Sequence, residues 1–199
     1  MAIKLLVVLA LPVAVGFTFL AEFLTGLLGG AEYLPDGAIA TRLMIWSIPI
    51  GWMNSLTQYM LIALDMQRRI TLAFALGVGF NLITNLLFIP QFGYQAAALT
   101  TIASELVLFI PFALLMRETL GSLPWLQMLW RPVLATAAMI AATALLWEVQ
   151  PVLALVAGTA VYGGVLLILR PFTQAELNRL LPLLPVKRLR PRAGSNPIG

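Results

Sequence analysis

The chain is 199 residues long, 61% hydrophobic and only 10% charged, with a formal net charge of +4 and a mean hydropathy of +0.96. A soluble domain carries about 25% charged residues, so too little charge is present to coat a water-facing surface, and lipid is the expected solvent. The lack of Cys and His excludes disulfides and thiolate metal sites, and removes the commonest metal ligand and general base.

A helix needs about 20 apolar residues to cross a bilayer, and six stretches of the chain are candidates. The first covers 5–28, with Pro12 inside and Glu22 near its end. It follows Lys4 but is too long for a signal-peptide core and has no early small-x-small cleavage pattern, so it reads as a retained helix. A Gly-rich connector, 29–41, leads to a second span over 42–64 with Pro49 inside. The polar turn 65–69 follows. The third span, 70–89, ends at Pro90, and an uncharged turn over 91–94 leads into the fourth, 95–116, with Pro111 inside. Residues 117–131 read as a mixed connector with an interfacial helix anchored by Trp125 and Trp130. The fifth span, 132–147, is short and is expected to borrow flanking residues. The sixth covers 151–169. An amphipathic stretch over 173–184 and a basic tail ending in Gly, Ser and Pro, expected to be disordered, complete the chain. The apolar runs are continuous rather than alternating, so they are helices and not barrel strands.

The charges then orient the spans. Lys4, Arg68, Arg69, Arg117, Arg131, Arg170, Arg179, Lys187, Arg188, Arg190 and Arg192 fall in alternate gaps, all on one side, and only Arg42 falls on the other. By the positive-inside rule, the basic side is cytoplasmic. The expected architecture is all-α: a polytopic transmembrane helical bundle of six spans over residues 1–172, with both termini inside, followed by a cytoplasmic tail over 173–199. Excess Lys and Arg of this kind reflects topology and does not point to nucleic acid.

Ionisable residues inside a membrane cost about 2.5–3.5 kcal/mol at the helix centre on insertion scales and are functional candidates by default. Glu105 lies near the middle of the fourth span and is the first candidate for binding a cation or proton. Glu22, nearer the end of its span, is the second. Asn81 and Asn85 are four apart on one face of the third span, and Asn54 and Gln58 share a face of the second. These two polar stripes line a path for a hydroxyl-rich head group, or else they serve interhelical hydrogen bonding. Gly77-Val78-Gly79 and Gly163-Gly164 read as close-packing positions. No Walker motif, phosphate loop or metal-spacing cluster occurs, so an ATP-driven engine, a metal site or another cofactor is not expected. A membrane enzyme is the least favoured class, since no paired acids share a loop.

The stretch from Asn81 to Thr100, reading Asn-x-x-x-Asn, then Ile89-Pro90, then Gly93 and a small-residue helix start, resembles a recurrent segment of polysaccharide-biosynthesis flippases. That family lies within the multidrug/oligosaccharidyl-lipid/polysaccharide exporter superfamily. Gly30-Ala31-Glu32-Tyr33, after a span with an early Pro, is similar to the family's Gly-x-x-Tyr. Ala96-Ala97-Ala98 stands where members often read Gly-Ala-Ala. The resemblance covers about residues 4–170.

Members have twelve to fourteen spans in two lobes and flip undecaprenyl-linked oligosaccharides outward across the bacterial cytoplasmic membrane. The resemblance therefore implies a multi-pass protein of the bacterial inner membrane that corresponds to the C-terminal six spans of such a transporter. Its partners would be membrane lipids, a lipid-linked glycan and either a missing N-terminal half or a second copy. The family motif carries no defined catalytic residue. A drug/cation antiporter fragment of the same superfamily and a non-transporting scaffold of a glycan-assembly complex remain open alternatives.

Overall fold

A computed structural model describes residues 2–121, 124–172 and Glu176, and every element among them is helical. The helices are α1 (Ala2–Leu28), α2 (Asp36–Met44), α3 (Ser47–Ile62), α4 (Gln67–Leu120), α5 (Trp125–Trp147) and α6 (Pro151–Leu169), with a 3-10 turn at Ala31–Tyr33. The amphipathic stretch and basic tail lie outside the described residues apart from Glu176.

Helix α1 is central and packs on α2, α3 and α5. Its buried residues Ile3, Val7, Ala10, Leu11, Ala14 and Val15 recur at three- and four-residue steps, which places them on one stripe. Pro12 lies within that helix. Proline has no N–H, so the carbonyl four residues earlier loses its intrahelical donor. That carbonyl belongs to Val8, and the Tyr162 hydroxyl of α6 donates to it at 2.7 Å. An orphaned backbone group in an apolar setting is thereby satisfied from a neighbouring helix.

The fold corrects the expected second span. Pro49 breaks it: its ring is incompatible with the carbonyl of Ile45 in a continuous helix. The chain instead closes α2 at Met44, turns through 45–46 and restarts at Ser47, whose hydroxyl donates to the Met44 carbonyl at 2.7 Å. Much of the expected 29–41 connector is accordingly helical. Asp36 in the first turn of α2 and Arg42 in its last both complement the helix dipole.

Helix α4 is a hairpin rather than a rod. Gly93 has φ 60° and ψ −143°, a conformation essentially reserved for glycine. It divides α4 into a first arm, 67–92, and a second arm, 94–120. The arms run antiparallel and touch along their length. Arg69 pairs with Glu118 at 2.6 Å, Phe74 meets Phe112 edge-on, Leu108 packs on Gly77, and Asn81 donates to Ser104 at 2.9 Å. The two helical arms thus lie where the sequence placed the third and fourth apolar stretches, with the turn narrowed to one residue.

Helix α5 begins at Trp125 and runs unbroken through Pro132. The expected interfacial helix does not exist as a separate element: Trp125 and Trp130 lie in the first two turns of α5, which supplies the length that the short fifth span lacked. Helix α6 has the bounds read from the sequence. It packs on α5 through Ala154, Gly158 and Tyr162, of which the two small residues permit close approach.

Three buried clusters hold the bundle. One joins Leu61 to Ile70, Ala73, Leu108, Phe112 and Met116 across α3 and the hairpin. A second joins Ile3, Val7 and Leu11 to Met53 and Met128. The third joins Val15, Ala135, Met139 and Tyr162.

Four helices, α1, α4, α5 and α6, are long and apolar enough to cross a membrane, and at most 33% of any such stretch is buried within the protein. Helix α4 enters that count once despite its break. Helix α3, at 16 residues, falls below the length of a typical span.

Candidate functional site

The site is built where α3 faces the second arm of α4. Asn54 lies midway along α3 and is 97% buried. Its amide nitrogen donates to the Glu105 carboxylate at 2.8 Å and to the Glu105 backbone carbonyl at 2.9 Å. Asn54 therefore grips both the side chain and the main chain of the one acid near the centre of that arm. Gly51, one turn before Asn54, lets α3 come close: a Cβ there would stand 3.4 Å from the Glu105 carboxyl carbon.

Around this pair is a cavity of about 280 Å³. Ser47, Ser55 and Gln58 contribute polar groups to its wall, and Phe74 and Leu108 contribute apolar ones. Ser47, Gly51, Asn54, Ser55 and Gln58 recur at helical spacing, so a single face of α3 carries the whole polar wall. The Oδ1 atom of Asn54 is buried and accepts no hydrogen bond. A buried acceptor without a donor is costly.

Of the residues singled out in the sequence, Glu105, Asn54 and Gln58 share this cavity. Asn81 and Asn85 do not line it. They belong to a hydrogen-bond ladder between the hairpin arms: Asn85 Nδ2 donates to Asn81 Oδ1 at 2.9 Å, Asn81 Nδ2 to Ser104 Oγ at 2.9 Å, and the Thr100 hydroxyl to Asn85 Oδ1 at 2.6 Å. This is the interhelical bonding arrangement, with both asparagines spent on closing the hairpin.

Glu22 lies at the other end of the bundle. It accepts from Arg42 at 2.7 Å, and both side chains are exposed. Arg42 therefore has its counter-charge on α1. Nearby, Tyr94 beside the hairpin turn donates to Asp36 at 2.9 Å.

Gly51 carried no signal in the sequence as a lone glycine. Its place on the face of Asn54 and Gln58 was the available clue. Gly158 was also missed. A Cβ at Gly158 would collide with the Thr143 hydroxyl. Gly79, Gly163 and Gly164, by contrast, face open space within this chain. Among the described residues no three acidic side chains gather into a metal-binding group. No protein-family model matches this chain, and neither a curated protein nor a solved structure matches it significantly.

Proposed function

We propose that this protein is a component of a membrane transporter that moves lipid-linked oligosaccharide precursors across the bacterial cytoplasmic membrane by alternating access. In this reading the six helical segments α1, α3, the two arms of α4, α5 and α6 all cross the bilayer, with the basic end inside. Helix α3 spans about 24 Å at 1.5 Å per residue, and the flanking turns and a modest local thinning of the bilayer make up the difference. The observation that carries the proposal is the Glu105 carboxylate, held by buried Asn54 against a polar cavity at mid-depth. An intramembrane acid facing a cavity marks a substrate or ion path.

Cavity size bears on the partner. Small-molecule sites occupy about 300–1,000 Å³, so a cavity of about 280 Å³ holds an ion with its water, or one sugar ring, but not an oligosaccharide. Alternating-access transporters bind between two repeats that rock against each other. A facing lobe, either a missing N-terminal half or a second copy, would therefore complete the head-group path. The same small cavity and single acid favour drug/cation antiport as the second reading.

The test is transport of a fluorescent lipid-linked oligosaccharide into the outer leaflet of liposomes holding the assembled transporter, with and without a cation gradient. Glu105→Gln should abolish the gradient dependence while the protein still inserts and folds. Gradient-dependent transport of the glycan lipid by Glu105→Gln at the wild-type rate would refute the role of Glu105. Transport of a lipophilic cation instead of the glycan lipid would select the antiport reading.

A further inference from the structure

A larger cavity lies elsewhere, at the basic end of the bundle, with about 530 Å³ between α1, the ends of α3 and α4, and the start of α5. Its wall has two chemistries. Lys4, Gln127 and Arg131 supply donors, and Met60, Met116 and Met128 supply a flexible apolar surface. An anion already sits in it: the Glu176 carboxylate bridges to Lys4 with oxygens at 3.0 and 3.1 Å, and both side chains are about four-fifths buried.

Lys4 lies in the first turn of α1, where the helix dipole is positive and a cation is disfavoured. Lysine and dipole together draw negative charge to this point. Arg131 stacks over Trp130 at 5.3 Å and donates through Nη1 to the Arg170 carbonyl at 2.6 Å. That leaves the rest of its planar fork for an oxyanion, and such forks match phosphate.

We propose that this cavity is a binding site for the phosphate head group of an anionic membrane lipid, and that Glu176 is a built-in competitor for it. The phosphate takes the place of the Glu176 carboxylate on Lys4 and gains Arg131. The first methylenes of the acyl chains lie on the methionine wall. A lipid is favoured over free phosphate because about half of the lining is apolar, and because exposed Leu120 and Trp130 border the cavity at the level where helix ends meet the head groups. Basic pockets between helices on the cytoplasmic side hold anionic lipids by this chemistry. The inference rests on membrane embedding and not on the transport reading, so either can fail alone.

The experiment is native mass spectrometry of the full chain released from nanodiscs of phosphatidylcholine containing a minor fraction of phosphatidylglycerol. Wild type should retain phosphatidylglycerol preferentially. Lys4→Gln and Arg131→Gln should each weaken retention about fivefold, the loss expected for one basic contact near a charged surface. Lys4→Arg should keep it, which separates charge from folding. Glu176→Gln should strengthen retention. Arg117→Gln, at the same end but outside the cavity wall, should leave it unchanged, and excess inorganic phosphate should not displace the lipid. Equal losses for Arg117→Gln and Lys4→Gln would mean diffuse surface attraction and overturn the site. Unchanged retention in Glu176→Gln would overturn the competition, and displacement of the lipid by inorganic phosphate would overturn the choice of ligand.

Discussion

At the scale of single residues, the fold turns on a few polar atoms placed where an apolar medium offers them no water. Val8 is one case. Pro12 removes its carbonyl's donor, and Tyr162 supplies another from α6. Tyr162→Phe should therefore destabilise the purified protein by about 1 kcal/mol, read as a shift of the unfolding midpoint in denaturing detergent. Pro12→Ala restores the missing N–H, so Tyr162→Phe should cost much less in that background. Equal costs in the two backgrounds would contradict the assignment. Asn54 is another case, since it holds both ends of Glu105. Asn54→Ala should lower stability by about 1 kcal/mol and release the carboxylate. Gly51→Leu should instead press a side chain against the Glu105 carboxylate, reducing transport at a stability cost of about 1–3 kcal/mol. Glu105 was legible because an acid inside an apolar run stands out in any composition. Its partner in three dimensions was not, because nothing along the chain relates position 54 to position 105. Tyr162 was invisible for the same reason, although Pro12 announced that some donor had to exist.

At the scale of elements, apolar runs announce helices reliably but say little about where a helix breaks. The sixth span was read to the residue because Pro151 opens it and Arg170, in a left-handed conformation, closes it. The second stretch, 42–64, divides because Pro49 lies inside it. The physics of the proline ring against the Ile45 carbonyl makes it a restart rather than a kink. The hairpin turn was correctly placed but too long, since Gly93 alone reverses the chain.

Two predictions belong here. Gly93→Val places a β-branched residue at positive φ and should cost about 1–3 kcal/mol while loosening the arms. The cysteine-free chain offers a direct readout. A Cβ at position 77 lies 3.7 Å from that of Leu108, within the 3.5–4.5 Å that a disulfide requires. The Gly77→Cys/Leu108→Cys pair should cross-link rapidly under mild oxidation, and more slowly once Gly93 is Val. On α6, Gly158→Ala should separate α6 from α5 because its methyl meets the Thr143 hydroxyl. Overpacking of that kind costs about 1–3 kcal/mol, whereas Gly163→Ala, facing open space, should cost little. Thermal unfolding of the two variants checks the contrast.

At the scale of the whole molecule, charge and packing describe the same object. The chain places Lys4, Arg131 and Arg170 in separate gaps, and the fold brings Lys4 and Arg131 to the wall of one cavity, with the Arg170 carbonyl bonded to Arg131. The opposite end carries the Arg42–Glu22 ion pair and Asp36, which accepts from Tyr94. Between the ends, the outer surface is apolar. Leu72, Leu76, Leu82 and Leu86 on the hairpin and Val152, Val156, Leu167 and Ile168 on α6 are all exposed. Patches of that extent are not tolerated in water, and lipid is their natural solvent. The cavity for an ion or sugar and the cavity for a lipid head group lie in different parts of the bundle, which separates the two proposals physically.

Both proposals require that the bundle stand in the membrane with each hairpin arm crossing it and the basic end facing the cytoplasm. The direct measurement is labelling of single-cysteine variants in intact cells with a membrane-impermeant maleimide. Gln91→Cys, at the hairpin turn, should label from outside. Gln67→Cys and Gly121→Cys, at the other ends of the two arms, should label only after the membrane is opened. Labelling of positions 67 and 91 from the same side would contradict the account.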